Sequence, residues 1–80
     1  MVRAVIAPTR TGRRVRHDLA ALDGMAALAR RTGSVVHVVV SREAGTAEHA
    51  RLAAAAAGVP VSIDLMAGSL RARFDGCAGA

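Results

Sequence analysis

The sequence predicts a small two-layer α/β sandwich with the element order β-α-β-α-β-β, a mixed sheet and both helices on one face. Strand-like segments rich in Val and Ile are separated by two stretches with helical periodicity. The last two strand segments alternate apolar and polar residues, as in a sheet with one solvent-exposed face. A chain of 80 residues buries only about 60% of its unfolded surface, which allows one core. We therefore expect one domain over residues 1–75 and a flexible tail over residues 76–80.

The first half of the chain predicts a strand, a helix and a central strand. Val2–Ala7 is rich in β-forming residues and ends at Pro8, which lacks a backbone donor. Over residues 13–32 apolar side chains recur three or four positions apart, which predicts an amphipathic helix. Gly33 then offers the left-handed conformation of a helix C-cap. Residues 35–40 are apolar on both faces and are therefore expected at the centre of the sheet.

The second half predicts a helix followed by a β-hairpin. Thr46 is the expected N-cap of a helix that runs to Ala57, where Gly58 and Pro60 end it. Apolar and polar residues alternate over residues 61–66 and again over residues 70–75. The short connection between these segments, residues 67–69, predicts a hairpin.

The charge of the chain favours a polyanionic partner. The formal net charge is +5 and the sequence pI is about 11.6, and clustered cations attract nucleic acid or anionic lipid. All the cations are arginine, while Lys, Asn and Gln are absent, which is typical of a GC-rich genome. The choice of Arg over Lys is therefore no sign of phosphate recognition by itself.

Four arginines, here called the first-loop arginine cluster, surround the predicted start of the first helix: Arg10, Arg13, Arg14 and Arg16. The helix dipole disfavours each cation at this end by about 0.3–1 kcal/mol, whereas the free N–H groups of a helix start favour phosphate. We therefore expect a site for nucleic-acid backbone or a phosphorylated ligand, completed by Thr11, Gly12 and His17. The alternative is a set of solvated side chains, with the helix starting later.

A second basic surface is expected on the open face of the sheet, from Arg3, Arg71 and Arg73, provided that the first and last strands lie near one another. Asp64 and Asp75 would partly neutralise it. Phe74 is the one aromatic residue, and its alternation places it in the core, so the chain has no aromatic platform for single-stranded nucleic acid. Binding would be led by the phosphate backbone and sensitive to salt, which favours duplex DNA or structured RNA.

The element order resembles that of three groups of small proteins: the SirA/TusA sulfur carriers, the Alba nucleic-acid-binding proteins and the C-terminal domain of a bacterial translation initiation factor. The sulfur carriers have a Cys-Pro-x-Pro motif at the start of the first helix. This chain has Arg13-Arg14-Val15-Arg16 there, and its single cysteine, Cys77, lies in the tail. Alba-like proteins carry basic residues just after the first strand, which Arg10, Arg13 and Arg14 resemble in placement. The resemblance is one of element order, which does not imply a function.

Other functional classes find less support in the sequence. No His, Cys, Asp or Glu residues have the spacing of metal ligands or of a nucleophile with its base, so we expect no enzyme, cofactor or metal. A lone cysteine and a short apolar N-terminal segment predict a cytoplasmic protein without a membrane partner. A core of small side chains favours a homodimer. One alternative function is a protein-interaction or homodimerisation module, which would use the open sheet face or the second, alanine-rich helix, with its alanine run at residues 53–57. Another is a small-ligand carrier.

Overall fold

The computed structural model describes the backbone of residues 2–7, 12–43 and 45–78, and side chains from Asp18 onward within these ranges. It contains six elements: β1 Val2–Ala7, α1 Gly12–Thr32, β2 Val35–Ser41, α2 Thr46–Ala57, β3 Val61–Met66 and β4 Ser69–Asp75. The predicted small α/β fold is confirmed. Four bounds differ from the prediction by one residue, since α1, α2 and β4 begin one residue earlier and β2 ends one residue later.

The four strands form one mixed sheet with the order β1-β2-β4-β3. β1 is parallel to β2, whereas β4 is antiparallel to both of its neighbours, β2 and β3. β2 therefore lies inside the sheet, as its apolar sequence predicts. The chain passes from β2 through α2 to β3, which is not adjacent to β2. The β-hairpin then places β4 between these two strands.

The core lies against alternate residues of the two inner strands. Val36, Val38 and Val40 of β2 are buried, and each pairs directly with a buried residue of β4: Phe74, Ala72 and Leu70. Both helices contribute small or aliphatic side chains to the same cluster, namely Leu22, Ala26, Ala29, Ala50, Ala53 and Ala54. Phe74 is fully buried, and its burial confirms the prediction made from the strand alternation.

Glycines cap the helices at three of their ends, and the predicted threonine cap is not found. Gly33 adopts the predicted left-handed conformation, with a φ of 66°. Gly58 ends α2 as predicted, and it is left-handed as well, with a φ of 76°. The prediction of Thr46 as the N-cap of α2 is wrong, because Gly45 is the cap and makes no side-chain bond. Thr46 is buried in the first turn, and its hydroxyl donates to the carbonyl of Glu43 at 2.9 Å. A buried hydroxyl needs an internal partner, and this carbonyl supplies it.

The chain after β4 turns back along the end of α1. The N–H of Gly76 donates to the carbonyl of Ser34 at 2.9 Å, and the N–H groups of Cys77 and Ala78 both donate to Asp75 Oδ1. Residues 79 and 80 lie outside the described residues, so the flexibility of the tail stays a prediction. Across the described segments, neither helix combines the length and the apolar character that a membrane span requires.

Candidate functional site

Two helices begin at the same edge of the sheet. β1 and β2 are parallel, and a helix follows each of them, so α1 and α2 both start at the carboxyl ends of these strands. β3 is parallel to β2 because both are antiparallel to β4, which brings the Ala67-Gly68 turn to this edge as well. The positive ends of two helix dipoles, with their free N–H groups, therefore share one side of the molecule.

The predicted anion-site residues fall at the first of these helix starts. Gly12 begins α1, and Arg13, Arg14, Arg16 and His17 follow within its first two turns. The helix thus starts before these arginines rather than after them, and its first turn contains no acidic residue. Arg10 and Thr11 lie outside the described residues, and the described side chains begin at Asp18.

The net charge of the protein is confined to this part of the chain. Five of the 11 arginines and none of the 6 acidic residues precede Asp18, and from that position onward arginines and carboxylates are equal in number. The whole formal charge of +5 therefore belongs to residues 1–17. Arginine is about three times as frequent in residues 1–17, where it makes up 5 of 17, as in residues 18–80, where it makes up 6 of 63. A composition that merely favours arginine does not predict this concentration.

Arg42 is an additional cation at the same edge, which the sequence analysis did not single out. It follows β2 directly, and its N–H donates to the carbonyl of Gly68 at 3.4 Å. Its guanidinium Nη1 donates to the carbonyl of Met66 at 3.2 Å, and the side chain is exposed. The signal that could have revealed it is its position, because a residue immediately after a parallel strand lies at the edge where the following helix begins.

A buried carboxylate ties α1 to the end of β2. Asp18 is 0% exposed, and its Oδ2 accepts a hydrogen bond from the N–H of Ser41 at 3.1 Å. In the described part of the chain, Asp18 Oδ1 and the Ser41 hydroxyl are buried without a partner. Asp18 lies four residues before Leu22 on the buried stripe of α1, which is the sequence signal that this acid faces inward.

Arg71 and Arg73 project from one face of β4, but carboxylates lie close to both of them. Arg71 Nη2 lies 2.8 Å from Asp64 Oδ2, and Arg73 Nη1 lies 4.0 Å from Asp75 Oδ2. Both arginines are exposed. The cross-strand neighbours of Arg73 are His37 and Ser62, and the two arginines and two aspartates contribute equal and opposite formal charge. This surface therefore carries little net charge.

Arg3 does not lie beside these two arginines. It belongs to β1, which pairs with β2, and β2 separates it from β4. Adjacent strands are about 4.8 Å apart, so the backbones of β1 and β4 are about 10 Å apart. The predicted second basic surface would therefore have to span this distance, with β2 between its two parts, and it stays a prediction.

The remaining reactive side chain is Cys77, which is exposed and donates from Sγ to the carbonyl of Gly33 at 3.0 Å. From Asp18 onward, the described His, Cys, Asp and Glu side chains form no group of three that could hold a metal ion. The arginine-rich start of α1 is thus the feature on which a function can be argued. No protein-family model, curated protein or solved structure matches this chain.

Proposed function

We propose that this protein binds the phosphate backbone of nucleic acid through the arginines at the start of α1. The observation that carries the proposal is the separation of charge, with a net charge of +5 placed in the first 17 residues and none in the rest. Arg13 and Arg14 lie where the helix dipole opposes a cation by about 0.3–1 kcal/mol each. A bound phosphate relieves that opposition, because it interacts favourably with both the guanidinium groups and the helix start.

The second helix start supports an extended ligand rather than a single small anion. α2 begins at the same edge of the sheet as α1, and Arg42 lies just before it. A polyanion that crosses this edge would meet both positive helix ends in succession. Nucleic acid presents such a row of phosphates, whereas an isolated phosphate group would contact one helix start.

The proposal includes an open sheet face, with both helices packed on the opposite side as a two-layer sandwich. The chain advances in one direction across the sheet from β1 to β2 and from β2 to β3, and right-handed crossovers that advance in one direction lie on one face. The burial of alternate residues in β2 and β4, together with one core cluster shared by both helices, also supports this arrangement.

Arg71 and Arg73 would assist at this open face without determining affinity. Each has a carboxylate within 4.0 Å, so contact with phosphate there competes with an existing partner. Among the described side chains, the one aromatic ring, that of Phe74, is fully buried and cannot stack on bases. Binding is therefore led by phosphate contacts, with weak sequence preference and a preference for duplex DNA or structured RNA.

A fluorescence-anisotropy titration tests the proposal with labelled duplex DNA and a labelled RNA hairpin. Three or four phosphate contacts predict a loss of affinity of about 40- to 150-fold when salt rises from about 50 to 200 mM. The double substitution Arg13→Ala and Arg14→Ala should weaken binding and lower the log–log salt slope by about 2. The matched control is Arg30→Ala with Arg31→Ala, which removes the same charge from the other end of α1, where both arginines are exposed.

The two double variants give results that decide between a located site and a general effect of charge. The proposal expects a strong loss with the first variant and a small one with the control. Equal losses in both would show attraction by net charge alone and would contradict the located site. Absence of binding at low salt by the unmodified protein would refute nucleic-acid binding altogether.

A further inference from the structure

β3 is an edge strand whose apolar side is incompletely covered. Within residues 2–7, 12–43 and 45–78, it pairs with β4 alone. Val61 and Ile63 are half-buried, although the β4 residues opposite them are fully buried, and Leu65 is 55% exposed. Edge strands offer unpaired backbone groups to other strands, and proteins commonly block them with Lys, Pro or a bulge. β3 has no Lys or Pro within it, and its ladder with β4 runs without a shift.

The hydrogen-bond pattern shows which residues of β3 face the free edge. The N–H of Asp75 donates to the carbonyl of Pro60 at 3.0 Å. These two residues form the opposed pair that precedes Val61 and Phe74, the first pair of the ladder. Hydrogen-bonded and non-hydrogen-bonded pairs alternate along an antiparallel ladder. The N–H and C=O groups that point away from β4 therefore belong to Val61, Ile63 and Leu65. These are the same three residues that carry the apolar side chains.

We propose that β3 pairs with β3 of a second copy of this chain, antiparallel about a two-fold axis at Ile63. The two four-stranded sheets would then form one continuous sheet. In this register Ile63 faces the partner's Ile63, and Val61 faces the partner's Leu65. All three outward-facing residues find partners, with about six backbone hydrogen bonds across the axis. The half-exposed Leu65 becomes covered on its apolar side.

In the same register, the polar side chains of β3 also match those of the partner's β3. Ser62 lies opposite the partner's Asp64, and a hydroxyl and a carboxylate form a hydrogen bond. Asp64 contacts Arg71 through Oδ2, so Oδ1 can accept from the serine. A register centred on Asp64 would instead place two carboxylates opposite each other, which is destabilising. A shift by one residue would set apolar against polar side chains.

A second copy fits this edge better than an unrelated strand because of these matched pairs. The strand contributes both members of each pair, so no feature of a different partner is needed to explain them. The inference concerns the opposite half of the chain from the first-loop arginine cluster and does not depend on the proposed function. Nucleic-acid binding can therefore fail while the dimer stands, and the reverse also holds.

Sedimentation equilibrium over a range of protein concentrations tests the dimer with two variants in β3. Ile63→Pro should abolish it, because the ring removes the central N–H of the interface while the N–H groups that bond β4 remain. Ser62→Asp should weaken it about tenfold, through two symmetric like-charge pairs, and leaves the folded monomer intact because Arg73 lies opposite residue 62. Circular dichroism establishes whether each variant is folded. If Ile63→Pro is not folded, the dimer affinity of Ser62→Asp alone tests the interface.

The control variant is Leu52→Lys on α2, whose side chain is 62% exposed. A dimer through the outer face of the alanine-rich helix would be lost in this variant, whereas a β3 dimer would persist. The register is tested by oxidising Ile63→Cys in a Cys77→Ser background. The two α-carbons at the axis would be about 5.5 Å apart, within the range of a disulfide. Asp64→Cys in the same background should cross-link more slowly.

Loss of the dimer in the β3 variants and its survival in Leu52→Lys would support the inference. A dimer that persists in folded Ser62→Asp with unchanged affinity would overturn it, as would a protein that is monomeric at every concentration. Faster cross-linking through Asp64→Cys than through Ile63→Cys would overturn the register.

Discussion

Replacing Gly76 by alanine would place a methyl group against the backbone at the end of α1. A Cβ at this position overlaps the carbonyl oxygen of Ala29 and lies 2.6 Å from its carbonyl carbon and 2.8 Å from the carbonyl oxygen of Ser34. All three are backbone atoms, so no side-chain rotation relieves the overlap. Gly76 does not have a positive φ, and the requirement for glycine is therefore one of space.

The magnitude follows from two terms. Forcing a methyl group into a packed region costs about 1–3 kcal/mol. The shift that makes room also disturbs the hydrogen bond from the Gly76 N–H to Ser34, which contributes about 0.5–1.5 kcal/mol. We expect Gly76→Ala to lower the free energy of unfolding by about 2–4 kcal/mol. For a domain of this size the midpoint temperature should fall by at least about 8 °C.

Urea unfolding followed by far-ultraviolet circular dichroism measures this loss. The matched control is Gly24→Ala, since Gly24 is exposed in α1 and an added Cβ has no atom within 4 Å. That control should gain about 0.5–1 kcal/mol from helix propensity, so the two substitutions should act in opposite directions. If Gly76→Ala stays within about 0.5 kcal/mol of the unmodified protein, a change typical of a free surface position, the packing of this segment on α1 is refuted.

Two further substitutions test the polar contacts of α1. Asp18→Ala should cost about 1–3 kcal/mol because it leaves the buried N–H of Ser41 without an acceptor, whereas Asp18→Asn keeps an acceptor and should be nearly neutral in thermal unfolding. An equal loss in both would mean that the charge of Asp18 is needed. Asp23→Ala removes the 3.0 Å contact with His49, whose side chain is 29% exposed against 60% for the aspartate. Solvent screening limits its effect to about 0.5 kcal/mol, and a loss above about 1 kcal/mol would contradict a screened contact.

The local elements were predictable because their signals are local. Alternation placed β3 and β4, and helical spacing placed α1 and α2, since side-chain period reflects the backbone conformation of neighbouring residues. Thr46 shows where such reasoning fails. Threonine is a preferred cap in isolation, but here its side chain is buried and bonds to Glu43, so tertiary burial decides its role.

The candidate site was predictable in part. The placement of Arg13 and Arg14 in the first turn of α1 followed from the sequence, and the structure has them there. The position of Arg42 directly after β2 indicates the edge at which it lies, but its contact with Met66, 24 positions away, depends on the tertiary fold. The spacing of Asp18 from Leu22 indicates that this acid faces inward, but its bond to the Ser41 N–H, 23 positions away, depends on the tertiary fold.

The sequence by itself determined the six elements, the inward side of β4 and the concentration of charge before Asp18, because each of these is a property of neighbouring residues. The tertiary structure alone decided that β4 lies between β2 and β3, that two helix starts share one edge, and that β3 is left with a free apolar edge. Strand order depends on pairing between distant segments, and many orders satisfy the same local periodicity. Only packing of the whole chain selects one of them.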